Sequence, residues 1–270
     1  MEDVIHESST IVRNYLRRLA ALDIDERELL VGLSWLMIAA ALVTFVALHF
    51  LNCLPAYGRY EPKAVLRQFA IPARMAWILQ ELPSVVLPTV AVMQNYKSLS
   101  QEQMIVIGIT FIYGYRIRGG KPTPFYLFIL GVIFTSWNGY IQGLYHTKYV
   151  QYPINYLRSP LAIIGMVLYA FGMFVNIQSD NILRNLRAPG ETGYRIPRGG
   201  AFEYISGANF FGEIVEWIGY ATLTGTWTAW AFALFTMSNT IPRAIKHHAW
   251  YRQKFEDYPR NRKAVIPFIL

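Results

Sequence analysis

Gln80 and Glu81 are neighbours in WILQELPSVVLP, residues 77–88, within an apolar run long enough to cross a bilayer. A carboxyl at membrane depth is costly, so its default reading is a functional group facing a cavity or a partner. Two prolines follow it. Pro83 removes the donor that would serve the carbonyl of Leu79, and Pro88 does the same for Ser84. A kinked helix with free carbonyls is tolerated in a membrane only where protein or water satisfies them again. The stretch therefore reads as a helix lining a pocket.

Three further sets of polar residues recur at helical spacing. Asn176, Asp180, Arg184 and Arg187 form one stripe, Asn209, Glu213, Glu216 and Tyr220 a second, and Arg243, His247 and Tyr251 a third. Spacings of three and four stack side chains on one helix face. Any one stripe also fits interhelical hydrogen bonds or a solvated helix end. Together with Gln80 and Glu81, the three predict a shared polar pocket. Between the first two stripes lies RAPGETGYRIPRGG, residues 187–200. Its glycines let backbone approach a ligand closely, and Arg187, Arg195 and Arg198 can pair with phosphates. No G-x-G-x-x-G follows a strand and no Walker A occurs, so a bound nucleotide would be held by helix ends and this loop. No metal site is expected, because the five histidines are scattered or, at His247 and His248, point about 100° apart on a helix. A nucleophile-elbow motif is also missing.

The elements that must carry these residues are membrane helices. The 270 residues are 54% hydrophobic and 16% charged, against about a quarter charged in soluble domains. Cys53 is the single cysteine, which excludes an internal disulfide. Apolar runs cover 29–51, 72–93, 103–115, 125–145, 159–183, 209–224 and 227–242. The expectation is all-α: an integral membrane bundle of seven transmembrane helices over 29–270, with an N-terminal peripheral amphipathic segment over 1–28. No cleavable signal is expected. With seven crossings, one side holds seven of the 25 basic residues and the other, with the C-terminal tail, the remaining 18. The positive-inside rule then places the C-terminus and the pocket on the cytosolic side. That membrane is the endoplasmic reticulum in a eukaryote or the inner membrane in a bacterium. The same asymmetry accounts for the net charge of +8 without nucleic acid. The third run is too short for a hydrocarbon core of about 30 Å at about 1.5 Å per residue.

WILQELPS, RGGKPTP, NGYIQG, the long run from Asn176 to Tyr220, and HHAWYRQKFEDYPRNRKAVIPFIL closely resemble steroid 5α-reductases. The resemblance runs from about Trp77 to Leu270. It implies a seven-helix bundle that reduces the C4=C5 double bond of 3-oxo-Δ4-steroids with NADPH. It implies that Gln80 and Glu81 contact the steroid ketone, that Trp77 lines the cofactor–substrate junction, and that Asn176, Asp180, Arg187, Tyr194, Asn209, Glu213, Arg243, His247 and Tyr251 surround the cofactor. Arg195, in the same loop, joins them as a phosphate partner. The chemistry agrees. Hydride addition at the β-carbon of an enone puts negative charge on the ketone oxygen, which calls for donors aimed there. A carboxyl in an apolar site can remain protonated and donate, and Gln80 can hold it in place.

The chain departs from this family at one point. Relatives carry His-Tyr-x-x-Arg in the third helix, whose Tyr is the second donor to the ketone. Here the residues read MIVIGITFIY, as though about two helical turns were excised between Ile109 and Thr110. Either the chain is an edited version, or Tyr113 or Tyr115 substitutes. Other classes also stand open: a reductase of an enoyl thioester or polyprenol, an S-adenosylmethionine-dependent enzyme resembling isoprenylcysteine carboxyl methyltransferases, or a non-catalytic lipid binder. Partners are a steroid or related lipid and membrane lipid, with a monomer expected.

Overall fold

The computed structural model describes residues 25–51, 70–111, 123–187, 191 and 193–270. Among these residues, each apolar run has become a helix. They are α1 (Glu26–His49), α2 (Ala73–Asn95), α3 (Gln101–Phe111), α4 (Phe125–Leu144), α5 (Pro160–Arg184), α6 (Ala208–Thr224) and α7 (Trp227–Lys254). Among the described residues, four helical stretches are long and apolar enough to cross a membrane: Glu26–His49, Met75–Ser98, Phe125–Tyr149 and Pro160–Arg184. α6 is shorter, with Glu213 and Glu216 in its interior, and the last turns of α7 are basic and polar. The expected peripheral segment lies outside the described residues up to 24. Its last three residues, 26–28, belong to α1, because charged side chains are tolerated in a first turn that apolarity alone would exclude. Tyr113 and Tyr115 also lie outside the described residues.

Local chemistry marks where the helices begin and end. Pro160 opens α5 behind Ser159, whose hydroxyl accepts from the Ala162 N–H at 3.3 Å. Gly225, with φ of 63°, ends α6, and the next residue, Thr226, caps α7 by accepting from Ala229 N–H at 3.3 Å. α6 and α7 are therefore joined by a tight antiparallel turn.

Two helix pairs form the walls. α5 and α6 run antiparallel and touch backbone to backbone. A Cβ on Gly165 or Gly172 of α5, or on Gly212 or Gly219 of α6, would run into the main chain of the facing helix. Small residues seven apart on both helices permit this approach, the usual device of membrane interfaces. α2 and α4 run side by side in the same direction, because their starts are tied by an antiparallel pair of two-residue strands, β1 (Ala70–Ile71) and β2 (Thr123–Pro124). Gly139 and Gly143 of α4 lie against Pro83 and Pro88 of α2; a Cβ on either would sit 2.8 Å from proline backbone. The α4 hydroxyl of Thr135 donates to the Gln80 carbonyl at 2.5 Å, supplying a donor beside the proline kink.

An aromatic core built on Tyr169, Trp217 and Tyr220, with Ala221, Ala229 and Ala233, joins α5, α6 and α7. Beyond α7 the tail folds back. Ser206 N–H donates to Lys263 O and Gly207 N–H to Ala264 O, both at 2.9 Å. Arg262 is fully buried and donates to Pro197 O at 2.9 Å and to Glu203 at 3.3 Å. The tail thus clamps the loop between α5 and α6.

Candidate active site

Residues of all seven helices line a cavity of about 950 Å³. α6 supplies its rail: Asn209, Glu213, Trp217, Tyr220 and Thr224 all face it. Those residues span about 22 Å of helix at about 1.5 Å per residue. Trp77, Gln80 and Glu81 of α2 line the same space, as do Asp180 of α5 and Arg243 of α7. Polar residues from four of the separated stretches, on α2, α5, α6 and α7, therefore meet in one cavity. Glu213 feels the charges of Glu216, Arg243, Asp180 and Glu81, so charged groups of four helices act on one another.

At the α2 wall, Ser84 holds the acid. Its hydroxyl donates to the Glu81 carbonyl at 2.6 Å and lies 3.5 Å from Oε2. Gln80, expected to hold Glu81, instead packs its side chain on Gly131 of α4. Ser84 sits one turn from Glu81 in WILQELPS, a spacing from which it could have been read.

The other expected cofactor residues do not line the cavity. Asn176 is buried behind the wall and donates to the Asn209 carbonyl at 2.9 Å, which positions the start of α6. His247 lies against the ring of Phe210, itself a lining residue, with centroids 5.5 Å apart. Tyr251 is buried in a stack with Tyr258, 5.3 Å between centroids and 8° between planes. In the loop, Arg187 sits over the Tyr194 ring at 5.8 Å, Tyr194 meets Trp250 edge-on at 4.8 Å, and Arg195 pairs with Glu191 at 2.7 Å.

Glu203 fastens this loop from within. Its carboxylate accepts from Gly199 N–H at 2.6 Å and faces Arg262 at 3.3 Å and Arg198 at 3.6 Å. The Gly199 N–H, with the two guanidiniums, holds the Glu203 carboxyl below its ordinary value of 4.5. A depressed carboxyl contributes stability that is present above the ordinary value and lost as pH falls through the lowered one. Acidification from about pH 6 to about pH 3 is therefore expected to loosen residues 193–207, read as faster proteolysis there. Glu203→Gln is expected to show the loosening already at neutral pH. Equal cleavage of both proteins across the range would remove Glu203 from this role.

At the other end of the cavity is a group that the sequence reading left out. Asn138, Gln142 and His146 follow one another at four-residue spacing along α4 and its continuing turn, and all line the cavity. Gln142 Nε2 donates to Asn138 Oδ1 at 3.2 Å and to Thr228 O at 2.9 Å. Tyr220 donates its hydroxyl to Gln142 Oε1 at 3.1 Å and lies 3.2 Å from His146 Nε2. The same periodicity used for the other stripes would have found this one.

Helices long and apolar enough to cross a membrane, arranged around such a cavity, mark a membrane protein with an internal polar-walled cavity. The sequence profile of the family described as 3-oxo-5-alpha-steroid 4-dehydrogenase matches residues 121–270. The chain is 43% identical over 261 residues to 3-oxo-5-alpha-steroid 4-dehydrogenase 1 of Bos taurus, covering 92% of this chain and 100% of that protein. Identity to the Homo sapiens type 1 protein is 41% over 264 residues, covering 92% and 98% respectively. The Homo sapiens type 2 protein is 42% identical over 241 residues, covering 86% and 94%. The chain belongs to the 3-oxo-5-alpha-steroid 4-dehydrogenase family of oxidoreductases.

Proposed function

We propose that this protein reduces the C4=C5 double bond of 3-oxo-Δ4-steroids with NADPH. The observation that carries the reading is the position of Glu81, a carboxyl in the wall of a largely apolar cavity that it shares with Asn209, Glu213 and Arg243. NADPH, when bound, supplies the hydride. The cavity end beside α5 fits a nicotinamide, because Nε of Arg243 and Oδ1 of Asn239 are buried there without hydrogen-bond partners among the described residues. A carboxamide offers both a donor and an acceptor, and Asn209, Glu213 and Asp180 add the matching groups. Outside the cavity, Arg187, Tyr194 and Arg195, with His247 and Tyr251 behind them, take the adenosine and phosphate end.

Glu81 holds a proton toward the ketone oxygen of the steroid, where charge grows as the double bond is reduced, and Ser84 fixes its backbone. The second donor to that oxygen comes from Tyr113 or Tyr115 in the segment after α3. Trp77 closes the wall between ketone and cofactor ends. The protein works as a monomer within the bilayer, with seven crossings and its C-terminus and cofactor end in the cytosol, as the basic residues argue. Its substrate enters from membrane lipid.

The test is incubation of the purified chain with NADPH and a 3-oxo-Δ4-steroid, following nicotinamide absorbance and the saturation of the A ring. Recovery of unchanged steroid, with reduction of an enoyl thioester or polyprenol instead, would overturn the substrate assignment. Within this reading, a 2′-phosphate needs charge-assisted donors. Arg187→Ala is expected to weaken NADPH binding by roughly tenfold more than NADH binding in equilibrium titrations. Equal losses for both cofactors would take Arg187 out of that role.

A further inference from the structure

His146 takes no part in the ketone or cofactor ends of the cavity, yet it lines the same space and is only 5% exposed. Two hydroxyls reach its Nε2, Tyr220 at 3.2 Å and Thr226 at 3.4 Å. Gln142 commits its amide nitrogen to Asn138 and Thr228, so its oxygen faces Tyr220 and receives the one hydroxyl proton Tyr220 has. Toward His146, Tyr220 can then act only as an acceptor. The neutral imidazole that satisfies the Tyr220 contact carries its proton on Nε2, where Thr226 can also accept, and a lone pair on Nδ1. That Nδ1 is buried and has no partner among the described residues. An orphaned acceptor in a buried wall is a feature that calls for a donor from a ligand.

Its distance from the acid end suits a rigid ligand. Gln80 and Pro83, on either side of Glu81, abut Thr135 and Gly139 of α4. His146 lies seven to eleven residues further along the same helix and its continuing turn, roughly 10–17 Å at about 1.5 Å per residue. That is comparable with the long axis of a fused tetracyclic nucleus. We propose that His146 Nδ1 accepts a hydrogen bond from a hydroxyl group on the end of the lipid substrate remote from its ketone. The inference deepens the reductase reading and rests on it, since Glu81 is taken to hold the ketone. It makes the far end of the cavity selective for a donor: a second ketone there meets a lone pair, and a bare ring leaves Nδ1 unsatisfied.

The experiment uses three 4-ene-3-ketones identical except at the far ring, which carries a hydroxyl, a ketone or hydrogen alone. Equilibrium binding to the full chain with NADPH present, and NADPH oxidation, are measured separately. The wild type is expected to bind the hydroxyl ligand roughly tenfold more tightly than either of the others. His146→Leu is expected to erase that preference. His146→Gln, which offers both a donor and an acceptor, should accept hydroxyl and ketone alike, and it decides the matter if the leucine variant does not fold. A wild type without hydroxyl preference, or a preference unchanged in a folded variant, overturns the proposal. An equal fall in turnover on all three ligands would make His146 a helper at the ketone and also overturns it. Hydroxyl preference without any NADPH oxidation would sustain the site and sink the reductase reading. Oxidation of all three with a preference indifferent to His146 would do the reverse, and no binding of any ligand would remove both.

Discussion

Glu81→Gln is expected to lower turnover of a 4-ene-3-ketone by roughly 100-fold or more, with NADPH binding unchanged. The amide keeps the shape of the acid and still presents a donor, so the cavity wall and the Ser84 contact survive. What it loses is acidity matched to the oxygen as that oxygen becomes an enolate. NADPH binding is spared because Asn209, Glu213 and Arg243 stand on α6 and α7 and are untouched. The decisive design is a four-way comparison in one detergent. The parent chain and Glu81→Gln are each measured with and without a His-Tyr-x-x-Arg insertion between Ile109 and Thr110. If a missing tyrosine is the partner donor, the insertion raises the activity of the parent. An amide variant that matches its parent in both backgrounds would make the carboxyl structural and end the mechanism.

Gly172→Ala is expected to lower the melting temperature by about 5–10 °C, whereas Gly32→Ala leaves it level or slightly raised. A Cβ at Gly172 would lie 2.6 Å from Cα of Glu216 and 2.7 Å from the carbonyl oxygen of Gly212. Both are main-chain atoms of α6 and cannot swing aside, so the helices must part. Overpacking of this kind costs about 1–3 kcal/mol. At Gly32, on α1, a Cβ would meet nothing within 4 Å among the described residues, and loss of a helical glycine is favourable. Thermal unfolding of both variants in the same detergent checks the pair. Indistinguishable melting temperatures would show that the α5–α6 approach has slack.

Much of this architecture is legible as apolar runs, because a membrane helix must satisfy its backbone internally and hide it behind apolar side chains. The runs fail where apolarity and helicity part company. α7 continues beyond residue 242 to Lys254, since its last turns are supported by aromatic stacking of Tyr251 on Phe255 and Tyr258 rather than by lipid. Within the site, Gln80, Glu81, Asn209, Glu213 and Arg243 were readable because charge and amide groups stand out against apolar surroundings. His146 was passed over as an isolated histidine. Its meaning comes from Tyr220 and Thr226, which reach it from 74 and 80 residues further along the chain. Four-residue spacing to Gln142 and Asn138 was present, but the tautomer that gives Nδ1 a task exists only after α6 has packed beside α4.

The glycine-lined contacts bear on how a ligand gets in. α5 with α6, and α2 with α4, are each pressed main chain to main chain, which makes them two stiff leaves with the cavity between them. Sliding or closer approach within a leaf is opposed by backbone already in contact. Admission of a bulky, inflexible guest is then a matter of the leaves turning relative to each other, like a book opened at its spine. The turning would be borne by the segment 145–159 between α4 and α5, which passes from one pair to the other and carries His146. A guest that seats its far end beside that joint steadies the closed book, so occupancy and closure reinforce one another.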